Sequence, residues 1–325
     1  MDIDVLGALD VRENGVSVAP TAPKPRQVLA LLAVHADRVV PVASLIEELW
    51  SGRPPRSART TLQTYVLQLR ELIGAALART AAPQPAPGHG SPGVGPGGGP
   101  GPGSGPGGGP GRRSAKDVLV TLPGGYLLAA GGGTSDVREF DRLAGLGYRA
   151  MDAGDFPGAS RHLGAALDLW SGPAFADVQT GAQLAMEARR LDESRLCALD
   201  QRIEADLHLG RHREVLAELT VLTSRYRNHE NLHAQFMIAL HRSGRRGEAL
   251  HAYTHLRTTL GRDLGLEPSP RLRRLQHSIL MAAPETAPTP PRAARAGYRP
   301  GTPQSTPQST PQSTAQSAAP QSTGR

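Results

Sequence analysis

The chain has 325 residues, 36 basic and 29 acidic side chains, a formal net charge of +7, and an aromatic content of only 4%. That length accommodates two domains, and with so few rings the core must come mainly from helical leucine and alanine packing. The single cysteine, Cys197, excludes an intrachain disulfide, Met1-Asp2-Ile3-Asp4 lacks the features of a secretion signal, and no apolar run approaches a membrane span. A soluble cytoplasmic protein without a membrane partner is expected, with Cys197 buried beside Leu196 and Leu199. The positive charge partitions as 0 over residues 1–77, +3 over 78–117, +1 over 118–283 and +3 over 284–325, so overall basicity is weak evidence for a nucleic-acid partner.

In chain order, short strands are predicted around Ile3–Leu6, Val11 and Val16–Val18, followed by a compact apolar helix over Val28–Val34. A second helix, Val42–Trp50, turns Leu45, Ile46 and Leu49 inward. Ser51-Gly52-Arg53-Pro54-Pro55-Arg56 then makes a turn, in which the proline pair blocks continuation of the preceding helix. A third helix over Ser57–Ile73 starts at Ser57, whose hydroxyl suits an N-cap. Ala58, Leu62, Tyr65, Val66, Leu69, Leu72 and Ile73 recur at helical spacing as one apolar stripe. The opposite face carries Arg56, Arg59, Thr60, Gln63, Thr64, Leu67, Gln68 and Arg70. From Ser51 to Arg70 there are four arginines and no acid, inside a stretch, residues 1–77, with eight basic and eight acidic residues. Guanidinium groups suit phosphates and guanine edges, glutamine suits adenine, and threonine offers a hydroxyl and a methyl. Arg59, Gln63, Thr64 and Leu67 are the expected base-reading residues, with Arg56 and Arg70 on phosphates.

Residues 83–111 contain 14 glycines and 9 prolines among 29 residues without a Gly-X-Y period, which predicts a flexible linker. A hairpin pairing Val118–Leu122 with Tyr126–Leu128 follows. Three helices and a hairpin in this order predict a winged helix-turn-helix over residues 1–81 and 115–130, interrupted by an insertion over 82–114.

Residues 136–281 read as a tetratricopeptide-like helical repeat. Gly210-Arg211 and Gly244-Arg245 are 34 residues apart, as are Glu214 and Glu248, Leu216 and Leu250, and Leu219 and Tyr253. Gly154-Asp155-Phe156-Pro157-Gly158-Ala159 marks an earlier copy. Stacked helix pairs of this kind offer a curved surface to a protein partner. His229-Glu230-Asn231-Leu232-His233 matches HExxH, and Glu248 sits at the distance of a third zinc ligand. Its position at a helix start inside the repeat array argues against a metalloprotease, so no metal and no catalytic residue is assigned. The tail over 282–325, with Thr-Pro-Gln-Ser repeats from Thr302, is too polar to fold. The expected fold class is mainly α with small β.

The chain resembles the SARP class, antibiotic regulatory proteins of actinomycetes that join an OmpR-type winged helix to a bacterial transcriptional activator domain. The resemblance is carried by Pro25-Arg26-Gln27-Val28-Leu29-Ala30-Leu31-Leu32, by Ser57 to Val66 with Leu69-Arg70, and by Pro123-Gly124-Gly125-Tyr126. Further matches are Arg202 to Leu207 with Leu209-Gly210-Arg211-His212, Leu232-His233-Ala234-Gln235, and Gly265 to Pro270. It covers roughly residues 1–81 and 115–281. It implies a transcriptional activator, without cofactor or catalysis, that binds double-stranded DNA at promoter direct repeats as a side-by-side dimer and regulates an antibiotic gene cluster. It also implies recruitment of the RNA polymerase holoenzyme through the turn at Arg53, Pro54 and Pro55 and through the repeat domain. With the DNA-binding segment starting at residue 1, no receiver domain is expected ahead of it. Two features depart from the family pattern: the long insertion, and Leu122 after Thr121, where relatives commonly place a basic residue. Thr121 is still expected at DNA, with Arg112, Arg113 and Lys116 as mobile substitutes for the missing wing cation. A tetratricopeptide adaptor, in which the winged helix has become a protein-binding surface, is the alternative.

Overall fold

Two three-stranded antiparallel sheets frame the N-terminal helices in a computed structural model that describes residues 1–80 and 113–282. The first sheet joins β1 (Asp2–Asp4), β2 (Asp10–Glu13) and β3 (Val16–Ser17) as a meander. Inward Ile3 and Val11 face each other across β1 and β2, and both are almost fully buried. α1 (Pro23–Val34) and α2 (Val42–Trp50) flank β4 (Val39–Pro41), and α3 runs over Ala58–Thr80. A short α4 (Ala115–Val118), closed by a capping box between Ser114 and Asp117, leads into the wing, β5 (Leu119–Leu122) and β6 (Gly125–Leu128). The wing is three-stranded, in the order β4-β6-β5.

The Gly-Gly-Tyr motif has a physical account in this sheet. Gly124 takes φ +83° in the hairpin turn, a region side chains avoid, and a Cβ on Gly125 would stand 2.5 Å from the Val40 carbonyl oxygen of β4. Tyr126 is then buried between the sheet and the helices.

Among the described residues seven further helices follow: α5 (Asp136–Asp152), α6 (Phe156–Leu167), α7 (Ala182–His208), α8 (Leu216–Arg225), α9 (Glu230–Arg242), α10 (Arg246–Leu264) and α11 (Pro270–Met281). The glycines at positions 154, 210 and 244 all have φ between +73° and +79°, which reverses the chain between paired helices at each predicted repeat. The equivalent Leu219 and Tyr253 are both buried. Cys197 differs from expectation: it is exposed on α7, because the inward positions there are Leu196 and Ala198. Of the insertion expected over 82–114 and the tail expected over 282–325, only residues 113, 114 and 282 are described; the rest lies outside the described residues.

Residues 1–282 pack as one unit, and a continuous core runs from the N-terminal strands to α7. Asp136 at the start of α5 accepts the Val5 and Leu6 amides at 2.6 Å each, and burial pushes its carboxyl up against the opposing pull of these bonds. Arg26 of α1 pairs with Asp177, which also accepts the Leu9 amide. Glu48 of α2, 1% exposed, accepts the amides of Gly181, Gln183 and Leu184 at 2.5, 2.8 and 3.0 Å. It thereby caps α7 with a carboxylate, satisfying orphan donors where the helix dipole favours negative charge. The backbone at Gly181 lies so close that a Cβ there would meet the Glu48 carbonyl oxygen.

Candidate nucleic-acid interface

The turn before α3 is set by backbone conformation as much as by proline. Ser51 adopts φ +46° and Gly52 φ +83°, which ends α2, and the Ala58 amide reaches the Pro55 carbonyl at 3.0 Å. Helix α3 begins at Ala58, and the Ser57 carbonyl accepts the Thr61 amide and hydroxyl. Its buried stripe is Ala58, Leu62, Val66, Leu69, Ile73 and Ala76, a strict run of three- and four-residue steps. Tyr65 is half-buried, and Leu72, predicted inward, is 38% exposed because Ile73 and Ala76 occupy the inward positions at this end.

That phase leaves Arg56, Arg59, Thr60, Gln63, Thr64, Leu67 and Gln68 exposed, with Leu67 at 57%. Among the described residues, Arg53, Arg56 and Arg59 form no ion pair, so their guanidinium groups are free for an anionic partner. The Thr64 hydroxyl donates to the Thr60 carbonyl at 3.1 Å and keeps its acceptor capacity outward. Arg53, Pro54 and Pro55 are exposed at the tip of the turn.

Arg70 is placed differently from the expected phosphate contact. Its Nε and Nη2 donate to the Leu119 carbonyl at 3.0 and 2.7 Å, and Nη2 also reaches the Thr121 hydroxyl at 2.7 Å. The side chain is half-buried and fastens the wing to α3, which fixes the angle between them. Thr121 stays exposed on β5.

Arg113 is not a mobile arginine either. It bridges the nearly buried Glu13 of β2 at 3.2 Å and the Ala129 carbonyl at 2.8 Å, so it ties the first sheet to the base of the wing. Lys116 is exposed on α4, and Arg112 lies outside the described residues.

The residues of the HExxH match serve the helix array. His229 is the N-cap of α9, its Nδ1 accepting the Leu232 amide at 3.3 Å, and Glu230 accepts the Ser269 amide at 2.9 Å. Both Glu248 oxygens receive Arg245, at 2.7 and 2.5 Å. His233 is 4% exposed, and burial, with His255 and His229 nearby, lowers its pKa to about 4. Among the described residues no three His, Cys, Asp or Glu side chains are grouped to hold a metal ion.

An exposed helix face without acidic residues from Ala58 to Arg70, beside a braced three-stranded wing, defines a DNA-binding protein of the winged helix-turn-helix class. The family model "Transcriptional regulatory protein, C terminal" matches residues 17–83, and "Bacterial transcriptional activator domain" matches residues 135–280. The chain is 49% identical over 284 residues to regulatory protein DnrI of Streptomyces peucetius, an alignment covering 87% of this chain and 93% of that one. It is 33% identical to regulatory protein AfsR of Streptomyces coelicolor, covering 87% of this chain and 24% of AfsR. The solved structure "Mycobacterium tuberculosis EmbR in complex with low affinity phosphopeptide" matches with a TM-score of 0.70 and 34% identity, over 86% of this chain and 64% of that chain. The chain belongs to the SARP family of transcriptional activators.

Proposed function

We propose that this activator reads promoter direct repeats with α3 and switches on a gene cluster for an antibiotic, as the similarity to DnrI suggests. The observation that carries this reading is the outward face of α3, where Arg59, Gln63, Thr64 and Leu67 project beside unpaired Arg56. These side chains match the donor, acceptor and methyl patterns of the major groove, while Arg56 and Thr121 lie at the flanks where phosphates run. Lys116 adds a cation near the wing.

Two protomers side by side would each occupy one repeat. The exposed turn at Arg53, Pro54 and Pro55 then faces away from the bases, available to the RNA polymerase holoenzyme. The protein acts by binding rather than by catalysis, and in the cytoplasm. No helix among the described residues is long and apolar enough to cross a membrane. DNase footprinting on promoters of neighbouring biosynthetic genes tests this: protection of two repeats in the same orientation is expected. Protection of a single site, or none, would remove the side-by-side arrangement. A protein that shows no DNA shift but captures a protein through α1–α3 would favour the adaptor reading.

A further inference from the structure

The helices α8, α9 and α10 line an open cavity of about 650 Å³ that the DNA-reading function does not use. Its volume falls within the roughly 300–1,000 Å³ typical of small-molecule sites. Phe236, Leu240 and Ala252 give it an apolar wall. Its polar lining is one-sided. The Thr223, Ser224 and Thr259 hydroxyls all donate to helix carbonyls, to Leu219, Thr220 and His255, so they have no proton left for a ligand.

The remaining donors are cationic or imidazole groups. Arg227 and Arg262 stand exposed on the lining with His251 and His255. Arg262 shares only its Nε with Asp263, and Arg227 forms no ion pair among the described residues. The one acid on the lining, Glu248, is neutralised by both of its contacts to Arg245. His233 lies on the same lining, 4% exposed, with the Arg227 backbone as a polar partner of poor hydrogen-bond geometry.

We infer that this cavity is a binding site for a small organic anion with an apolar, aromatic-sized body, held by Arg227 and Arg262 and packed on Phe236 and Leu240. The inference is independent of how α3 meets DNA. An anion is favoured over a neutral ligand because the free donors carry charge and the lining offers no free carboxylate to an amine. Charge-assisted hydrogen bonds are roughly twice as strong as neutral ones, so the charged end of the ligand should dominate selectivity.

The test is a fluorescence titration of the full chain with 8-anilinonaphthalene-1-sulfonate, compared with N-phenyl-1-naphthylamine, which has the same rings and no sulfonate. Saturable binding at one site per chain is expected, with the neutral probe at least tenfold weaker. The Arg227→Glu/Arg262→Glu variant alters two exposed side chains and should keep its circular dichroism spectrum while weakening the sulfonate probe at least tenfold. The Leu264→Ser/Leu266→Ser variant removes exposed apolar groups outside the cavity and should bind the sulfonate probe as the parent does. Equal binding of the two probes, an unchanged affinity in the double glutamate variant, loss of binding in the double serine variant, or no saturable binding would each overturn the assignment.

Discussion

Replacing Arg70 with alanine is expected to loosen the wing and leave the count of phosphate contacts unchanged. The guanidinium supplies two bonds to the Leu119 carbonyl and one to the Thr121 hydroxyl, spanning residues 49 and 51 positions away. A hydrogen bond to a charged group contributes about 1.5–3 kcal/mol when well buried. Arg70 is half-buried, so water recovers part of the loss, and a cost of about 1–2 kcal/mol to wing docking is expected. Hydrogen exchange read at the β5 and β6 amides should then be faster by about tenfold, since 1.4 kcal/mol corresponds to a factor of ten if the wing opens locally. Affinity for DNA should fall, while the slope of log affinity against log salt stays at the parent value, because no phosphate contact has gone. A slope reduced by about one with wing protection intact would refute this and return Arg70 to the phosphate backbone.

Arg113→Ala removes the guanidinium beside Glu13, leaving that carboxylate with the N-terminal amine at 3.4 Å, and a loss of about 1–3 kcal/mol in urea denaturation is expected. An unchanged midpoint with a weaker salt dependence of DNA binding would mean that Arg113 serves DNA after all. Glu48→Ala strips the cap from α7 and leaves three amides without their acceptor, while Gln27 keeps only the residue-48 carbonyl, which should cost about 3 kcal/mol. A loss below about 0.5 kcal/mol would show that α2 and α7 are not held together by this contact. His233, with its folded pKa lowered from 6.5 to about 4, binds fewer protons in the folded chain than in the unfolded one between those values. Stability should therefore fall as pH drops from about 6.5 toward 4, by up to roughly 3 kcal/mol from this group. His233→Gln should flatten that part of the curve, and an identical pH profile in the variant would contradict the buried neutral imidazole.

Local pattern made much of the fold legible. The ends of α2 coincide with the predicted Val42–Trp50 because the amphipathic run stops at a left-handed Ser51-Gly52 turn followed by Pro54-Pro55. The 34-residue spacing located the repeat turns because each requires a positive-φ glycine. What escaped the sequence depends on partners distant in the chain. The third wing strand, Val39–Pro41, is three residues long and exists through antiparallel pairing of Val39 with Leu127, Val40 with Tyr126 and Pro41 with Gly125. Helix α3 continues past Ile73, where the predicted helix ends, because Ala76 is buried in the core and α4 packs alongside. At the interface, helical phase was enough to place Arg59, Gln63, Thr64 and Leu67 outward. Phase could not reveal that Arg70 and Arg113 are committed to Leu119 and Glu13, since an arginine looks the same whether its partner is a phosphate or a carbonyl 49 residues away. Glu48 was equally silent, as an acid on an amphipathic helix normally faces water.

Whether α3 reads sequence is decided by the affinity of the parent, Arg59→Ala and Gln63→Ala for a site selected from random duplexes and for unrelated DNA of equal length. Each side chain is exposed on the outer face of α3 and free of ion pairs, so the fold should be unaffected. A loss of roughly 1–3 kcal/mol on the selected site, with little change on unrelated DNA and a relaxed preference at one or two base pairs, is the predicted result. An equal loss on both duplexes would contradict base reading by this helix and leave these residues as phosphate contacts.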